Sequence, residues 1–241
     1  MTYHHKIQTM PWLVLFLYLL TYPLQGFCAR PMVTDDARVI DPKSCQLESW
    51  VKLNAHSDEY WALPGCNVGE NFELTYGGAI TSDHGESNTT DVVMQAKTLM
   101  RPLTTNGYGI GIVVGHAQHP NRDHDASMIG DAYAYVPVSV SMLDDAFILH
   151  TNVGMLHDKA EEKNKLTWGI GSETRINRSL QFIAEVYGDN QSRAFHQLGL
   201  RYWLVQDRIQ IDTTYGNRFS NDSEERWLSF GIRLLSQSIL P

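Results

Sequence analysis

The sequence has no apolar run of about 18 residues or more, the length a bilayer-crossing helix needs. Its mean hydropathy is only −0.27, so a bundle of membrane helices is excluded. Charge is scarce as well: Asp, Glu, Lys and Arg make up 19% of the 241 residues, against roughly 25% in an average soluble domain. That is not the composition of a disordered charged tail. A basic excess is also missing. Nineteen Lys and Arg against 27 Asp and Glu give a net charge of −8, the wrong sign for gripping nucleic-acid phosphates. Cysteine is limited to Cys28, Cys45 and Cys66. None of these absences excludes a membrane β-barrel, whose strands alternate apolar and polar residues and so average to a soluble hydropathy.

What is present begins with a targeting pattern. Lys6 precedes an apolar stretch over 12–20, and Gly26-Phe-Cys-Ala29 precedes Arg30. A weakly positive start, a short apolar core and small residues predict a secretory signal peptide over 1–29. Cys28 leaves with it. Cys45 and Cys66 then form a pair in an exported chain, and a disulfide between them is the expected state. A metal site there would need more ligands, with His56 the only candidate nearby.

A polar arm (30–44) follows, and from residue 45 to 241 one period dominates. Phe72, Leu74, Tyr76 and Ile80 alternate with Glu73, Thr75 and Thr81; Leu198, Leu200, Tyr202 and Leu204 alternate with Gln197, Arg201 and Trp203. Period-two alternation is the strand signature. It predicts strands near 46–54, 59–63, 71–81, 91–101, 107–117, 131–141, 147–156, 166–176, 180–187, 195–205, 208–215 and 226–235. No helical pattern follows the signal. The connections alternate long and short, as 82–90, 117–129, 157–165 and 216–225 against 102–106, 143–146, 177–179 and 206–207. A transmembrane barrel sorts its loops this way, long outside and tight on the periplasmic side. The fold class expected is therefore all-β: one antiparallel transmembrane barrel of 10–12 strands, with a disulfide closing its first hairpin.

Register follows from the tight turns. A two-residue turn at Gln206-Asp207 sets Arg201 opposite Asp212, and a turn centred on Asp144-Asp145 sets His150 opposite Ser139 and Asn152 opposite Pro137. The polar face then carries Glu73, Lys97, Arg101, Glu173, Arg175, Glu185, Arg201, Asp212 and Arg233. A base facing lipid at the midplane costs roughly 2–4 kcal/mol, so these nine residues are expected to line the lumen, as a selectivity lining or a salt-bridge plug. Trp168, Tyr202 and Tyr215 fit interfacial anchors on the other face.

Two clusters offer other chemistry. His116, His119 and His124, with Asp123 and Asp125, have residue types suited to a transition metal, but a long loop carries such histidines incidentally and no metal or other cofactor is expected. His150 and Asn152, beside Ser139 and Ser141, have the groups of a lipid hydrolase. The register turns them inward, away from a lipid substrate, so no catalytic residue is assigned.

The segments Arg30-Pro-Met-Val-Thr-Asp-Asp-Ala37, Cys45-Gln-Leu-Glu-Ser-Trp50 and Trp61-Ala-Leu-Pro-Gly-Cys66 resemble small proteobacterial outer-membrane barrels. Ala184-Glu-Val-Tyr-Gly188, Gly199-Leu-Arg-Tyr202 and Ile211-Asp-Thr-Thr-Tyr-Gly216 are similar to outer-membrane channels of the MetA-pathway phenol-degradation type. Ser229-Phe-Gly231 running to Leu234 partly matches a barrel-assembly signal, although the chain ends Ser-Ile-Leu-Pro241 and not on an aromatic. The resemblance implies a Gram-negative outer-membrane location, contact with membrane lipid and lipopolysaccharide, and handling by the assembly machinery. The expected function is a narrow passive channel or uptake protein for a small solute. A non-conducting surface barrel is the first alternative and a barrel-embedded hydrolase the second.

Overall fold

The computed structural model describes residues 31–83, 88–120, 130–219 and 225–240. Twelve antiparallel strands form one closed barrel: β1 (Cys45–Asn54), β2 (Ser57–Asn67), β3 (Phe72–Asp83), β4 (Thr89–Arg101), β5 (Tyr108–Gln118), β6 (Asp131–Met142), β7 (Phe147–Asp158), β8 (Lys163–Arg175), β9 (Leu180–Asp189), β10 (Phe195–Val205), β11 (Ile209–Arg218) and β12 (Trp227–Leu235). Each strand pairs with its sequence neighbours, and β1 closes the ring on β12 from Gln46↔Leu235 to Asn54↔Trp227. The first hairpin is therefore part of the wall, which settles the count at twelve. Closure leaves no unpaired edge, and so satisfies the backbone where no water is available.

The alternation sorts as expected, with an apolar exterior and a polar interior. Tyr76, Met94, Val153, Leu198 and Phe230 are exposed on the outside, while Ser139, His150, Gln210 and Arg233 are fully buried within. This inverts a water-soluble protein and suits a lipid surround. Cys45 and Cys66 are directly paired across β1 and β2 and are disulfide-bonded. The bridge closes a loop with a sequence separation of 21, which constrains the unfolded chain by about 3 kcal/mol on the entropic account.

Arg201 stands opposite Asp212, Ser139 opposite His150 and Pro137 opposite Asn152. The turn before β11 spans three residues, not two. A β-bulge between Trp203 and Val205 absorbs the extra one, and Asp207 takes a left-handed conformation (φ 57°), which preserves the register of a two-residue turn. At the Asp144–Asp145 turn, partial burial raises the Asp145 carboxyl. Hydrogen bonds from Ser141 and Thr105 outweigh that and hold it below the ordinary carboxylate range.

Loop lengths depart from expectation. Connections at the end bearing the termini span 68–71, 102–107, 143–146, 176–179 and 206–208; those at the far end span 55–56, 84–88, 119–130, 159–162, 190–194 and 219–226. Only 119–130 and 219–226 are longer than every turn at the other end. Segment 157–165 shrinks because β7 and β8 continue through polar residues, with His157↔Asn164 and Asp158↔Lys163 paired and Lys165 bonded to Asp158 at 2.7 Å. A strand that projects beyond an apolar band has no need to stay apolar.

Candidate functional site

The arm lies inside the barrel. Leaving the ring at Ser44, the chain turns back through Lys43 (φ 61°) and climbs the lumen toward Pro31, with Met32, Thr34, Asp36, Ala37, Arg38 and Ile40 all buried. Twelve strands leave room for this. Eight-stranded barrels are filled by side chains alone, whereas 16-stranded ones leave an aqueous channel.

A peptide segment outside any sheet must find partners for its backbone groups, and the wall supplies them. Glu185 accepts from both Val33 N–H and Thr34 N–H at 2.8 Å. Ser139 Oγ accepts from Ala37 N–H and Glu73 Oε2 from Ile40 N–H, again at 2.8 Å. Asn67 Nδ2 donates to Ile40 O at 2.6 Å and Gln197 Nε2 to Pro31 O at 3.0 Å. With the Asn152 amide oriented nitrogen toward Asp35 O, it donates there at 2.9 Å while its oxygen accepts from Asp35 N–H at 2.7 Å. Glu185, which takes two backbone N–H donors, and Glu73 are the principal backbone anchors.

Side chains add a second set of contacts. Lys97 Nζ lies 2.8 Å from Asp35 and 3.1 Å from Asp36. Arg38 lies 4.0 Å from Asp36 and 3.9 Å from Glu173, and Arg201 binds Glu173 at 2.6 Å. Arg233 reaches Gln46 Oε1 at 2.7 and 2.9 Å and Glu48 at 3.5 Å. Space is made by glycine. A Cβ on Gly169 would meet Thr34 Oγ1 at 2.4 Å, and one on Gly171 would meet Met32 Sδ at 3.0 Å. The C-terminal tail braces the foot of the arm, with Ile239 N–H and Leu240 N–H both donating to Lys43 O. There burial lifts the Asp41 carboxyl above its ordinary range, against the opposing charges of Arg233 and Arg208.

Of the nine charged residues read as lumen lining, Glu73, Lys97, Glu173, Glu185, Arg201, Asp212 and Arg233 are buried inside. Arg101 and Arg175 are exposed at the end bearing the termini. A bulge between Leu99 and Arg101 reverses the parity of β4, and Arg101 turns outward to lie 3.9 Å over the Tyr108 ring. Arg175, the last residue of β8, reaches past the rim to Asp144 O. Ser139 Oγ and His150 Nδ1 are 2.8 Å apart and His150 Nε2 is 3.8 Å from Glu173, but the arm's Ala37 covers the serine oxygen. His116 Nε2 accepts from Gly130 N–H at 2.8 Å, and His119 lies between Asp91 (2.6 Å) and Asp131 (3.5 Å). His124, Asp123 and Asp125 fall outside the described residues.

Above the arm, toward the end away from the termini, the lumen widens into a chamber of about 400 Å³. Its walls carry Trp50, Trp61, Tyr133, Tyr135, Tyr187 and Trp227, and the arm forms its floor. Charged groups around it are Asp35, Asp36, Glu48, Glu59 and Glu73, against Arg38, Lys52 and Lys97.

Residues 19–235 match the model of a family described as uncharacterised conserved protein UCP029691. The chain belongs to this family. No curated protein matches the sequence. Among solved structures the UCP029691 chain resembles the KdgM porin, determined in complex with disordered oligogalacturonate, at 9% identity and a TM-score of 0.62, over 78% of this chain and 98% of that one. It also resembles the NanC porin at 11% identity and a TM-score of 0.54, over 80% and 98%. At such identities the likeness speaks for the fold, that of outer-membrane porins, and the family and structures matched do not confirm the MetA-pathway type. The interior role of the arm was missed by sequence reading. A usable signal lay in Asp35-Asp36, two adjacent acids in a chain whose proposed lumen carried one more base than acid.

Proposed function

We propose that this UCP029691 protein is a porin-like channel of the Gram-negative outer membrane, exported by a cleaved signal peptide, and that its own N-terminal arm holds the lumen closed. The observation that carries this reading is the arm itself, seated on Glu185, Ser139, Glu73 and Lys97 in a lumen lined by polar groups. A barrel needing only a stable interior would fill it with wall side chains, as smaller barrels do. A single tethered segment is instead removable as one unit. The apolar exterior supports the membrane location, and the uniformly short turns at the end bearing the termini support a periplasmic side for that end. The same arm covers Ser139, which speaks against a hydrolase. The transported solute is a small one.

Location is tested by fractionation together with boiling-dependent gel migration. The expected result is a heat-modifiable band confined to the outer membrane. A soluble periplasmic protein whose migration ignores boiling would overturn the proposal.

A further inference from the structure

We infer that the chamber above the arm is a binding site for a small organic cation, a quaternary or protonated amine. The inference rests on the closed-lumen reading, because the arm supplies the chamber floor. Six aromatic rings converge on about 400 Å³ of space, and the negative face of an aromatic ring attracts a cation placed within about 6 Å of its centre. The barrel already uses its rings in this way at the same end. Lys52 Nζ stands 5.0 Å over the Trp227 ring, and the Arg218 guanidinium 4.4 Å over Phe195.

Charge points in the same direction. Carboxylates around the chamber outnumber cations by five to three; including Arg233, which contacts Glu48 at 3.5 Å, still leaves an acidic excess. Low-dielectric walls concentrate such a field. At the chamber mouth Glu59 accepts from Lys52 Nζ at 3.2 Å, Asn54 Nδ2 at 2.9 Å and Trp61 Nε1 at 2.8 Å. Lys52 therefore stands where a ligand ammonium would sit, between the Glu59 carboxylate and the Trp227 ring. A neutral polyol would gain nothing from the charge excess.

The test is calorimetric titration of the whole mature chain, refolded in detergent, with benzyltrimethylammonium, its neutral tert-butyl isostere and D-glucose as probes. Saturable binding of the cation alone is expected. Trp61→Leu should weaken it at least tenfold, and Lys52→Met should strengthen it severalfold by vacating Glu59 and Trp227. Phe230→Leu, on the lipid-facing side of β12, should leave it unchanged; heat-modifiable migration checks that each variant folds. Equal affinity for the isostere, binding of glucose in place of the cation, no binding, or indifference to Lys52→Met would each overturn the inference. Binding is read with the arm in place and without ion flow, so its failure is distinguishable from a failure of the channel reading, which fractionation and conductance measure.

Discussion

Deleting residues 31–42 is expected to raise the time-averaged conductance per inserted barrel in planar bilayers at least tenfold over the intact mature chain. Every described wall strand starts at or after Cys45, so the deletion removes the plug and leaves the ring, its disulfide and the β1–β12 seam intact. The intact chain should conduct only rarely, when the arm leaves. The arm is anchored by carboxylate, hydroxyl and amide partners along its length, and its tether keeps it at high effective concentration beside the lumen. Once it is gone, Glu48, Glu73, Glu173, Glu185 and Asp212 face the path with Lys97, Arg201 and Arg233. Five acids against three bases predict cation selectivity, read as the sign of the reversal potential in a salt gradient. A silent deletion variant that is folded and inserted would show that the lumen is filled by the wall as well as by the arm.

Glu173→Leu is expected to be the most damaging single substitution in the lumen. Glu173 is 3% exposed and lies 2.6 Å from Arg201, 3.9 Å from Arg38 and 3.8 Å from His150. Removing one member of a buried charge cluster strips compensation from the others and costs roughly 3–5 kcal/mol. The variant should lose its heat-modifiable form at markedly lower temperature or urea concentration. Adding Arg201→Met, which removes the nearer of the two arginines left behind, should recover part of the loss, because a buried pair replaced by apolar groups is often neutral or better. An additive double variant would mean that the two residues do not act as a pair.

The fold was legible because its physics is repetitive. Alternation at Leu198–Leu204 or Phe72–Thr81 states which side of each residue meets lipid, and a tight turn then fixes the register, as Arg201 opposite Asp212 shows. Parity failed where one residue was inserted: the bulge before Arg101 cannot be seen in a pattern of alternating residue types. The ends of β7 and β8 were hidden because polar strands beyond the apolar band read as loop.

The interior was legible only by half. Sequence placed Glu73, Lys97, Glu173 and Glu185 on the inner face but not what they bind. Glu73 faces Lys97 across the ladder, which invites pairing them, yet each turns to the arm: Glu73 to Ile40 N–H, Lys97 to Asp35 and Asp36. Gly169 and Gly171 look like ordinary strand glycines until Thr34 and Met32 are found against them. Contacts between a non-strand segment and a barrel wall have no period, so no pattern in the chain announces them.

The most direct test of the seated arm is disulfide trapping with Thr34→Cys and Gly169→Cys in one chain. A Cβ at position 169 would lie 3.3 Å from the Thr34 Cβ, close to the roughly 3.5–4.5 Å span of a disulfide. The predicted result, in membranes from cells making the protein, is a 34–169 cross-linked peptide by mass spectrometry and the loss of the pore's rare openings, which return when a reductant is added. The contradicting result is a folded barrel with no cross-link, in which the cysteine at position 34 reacts freely with a soluble maleimide.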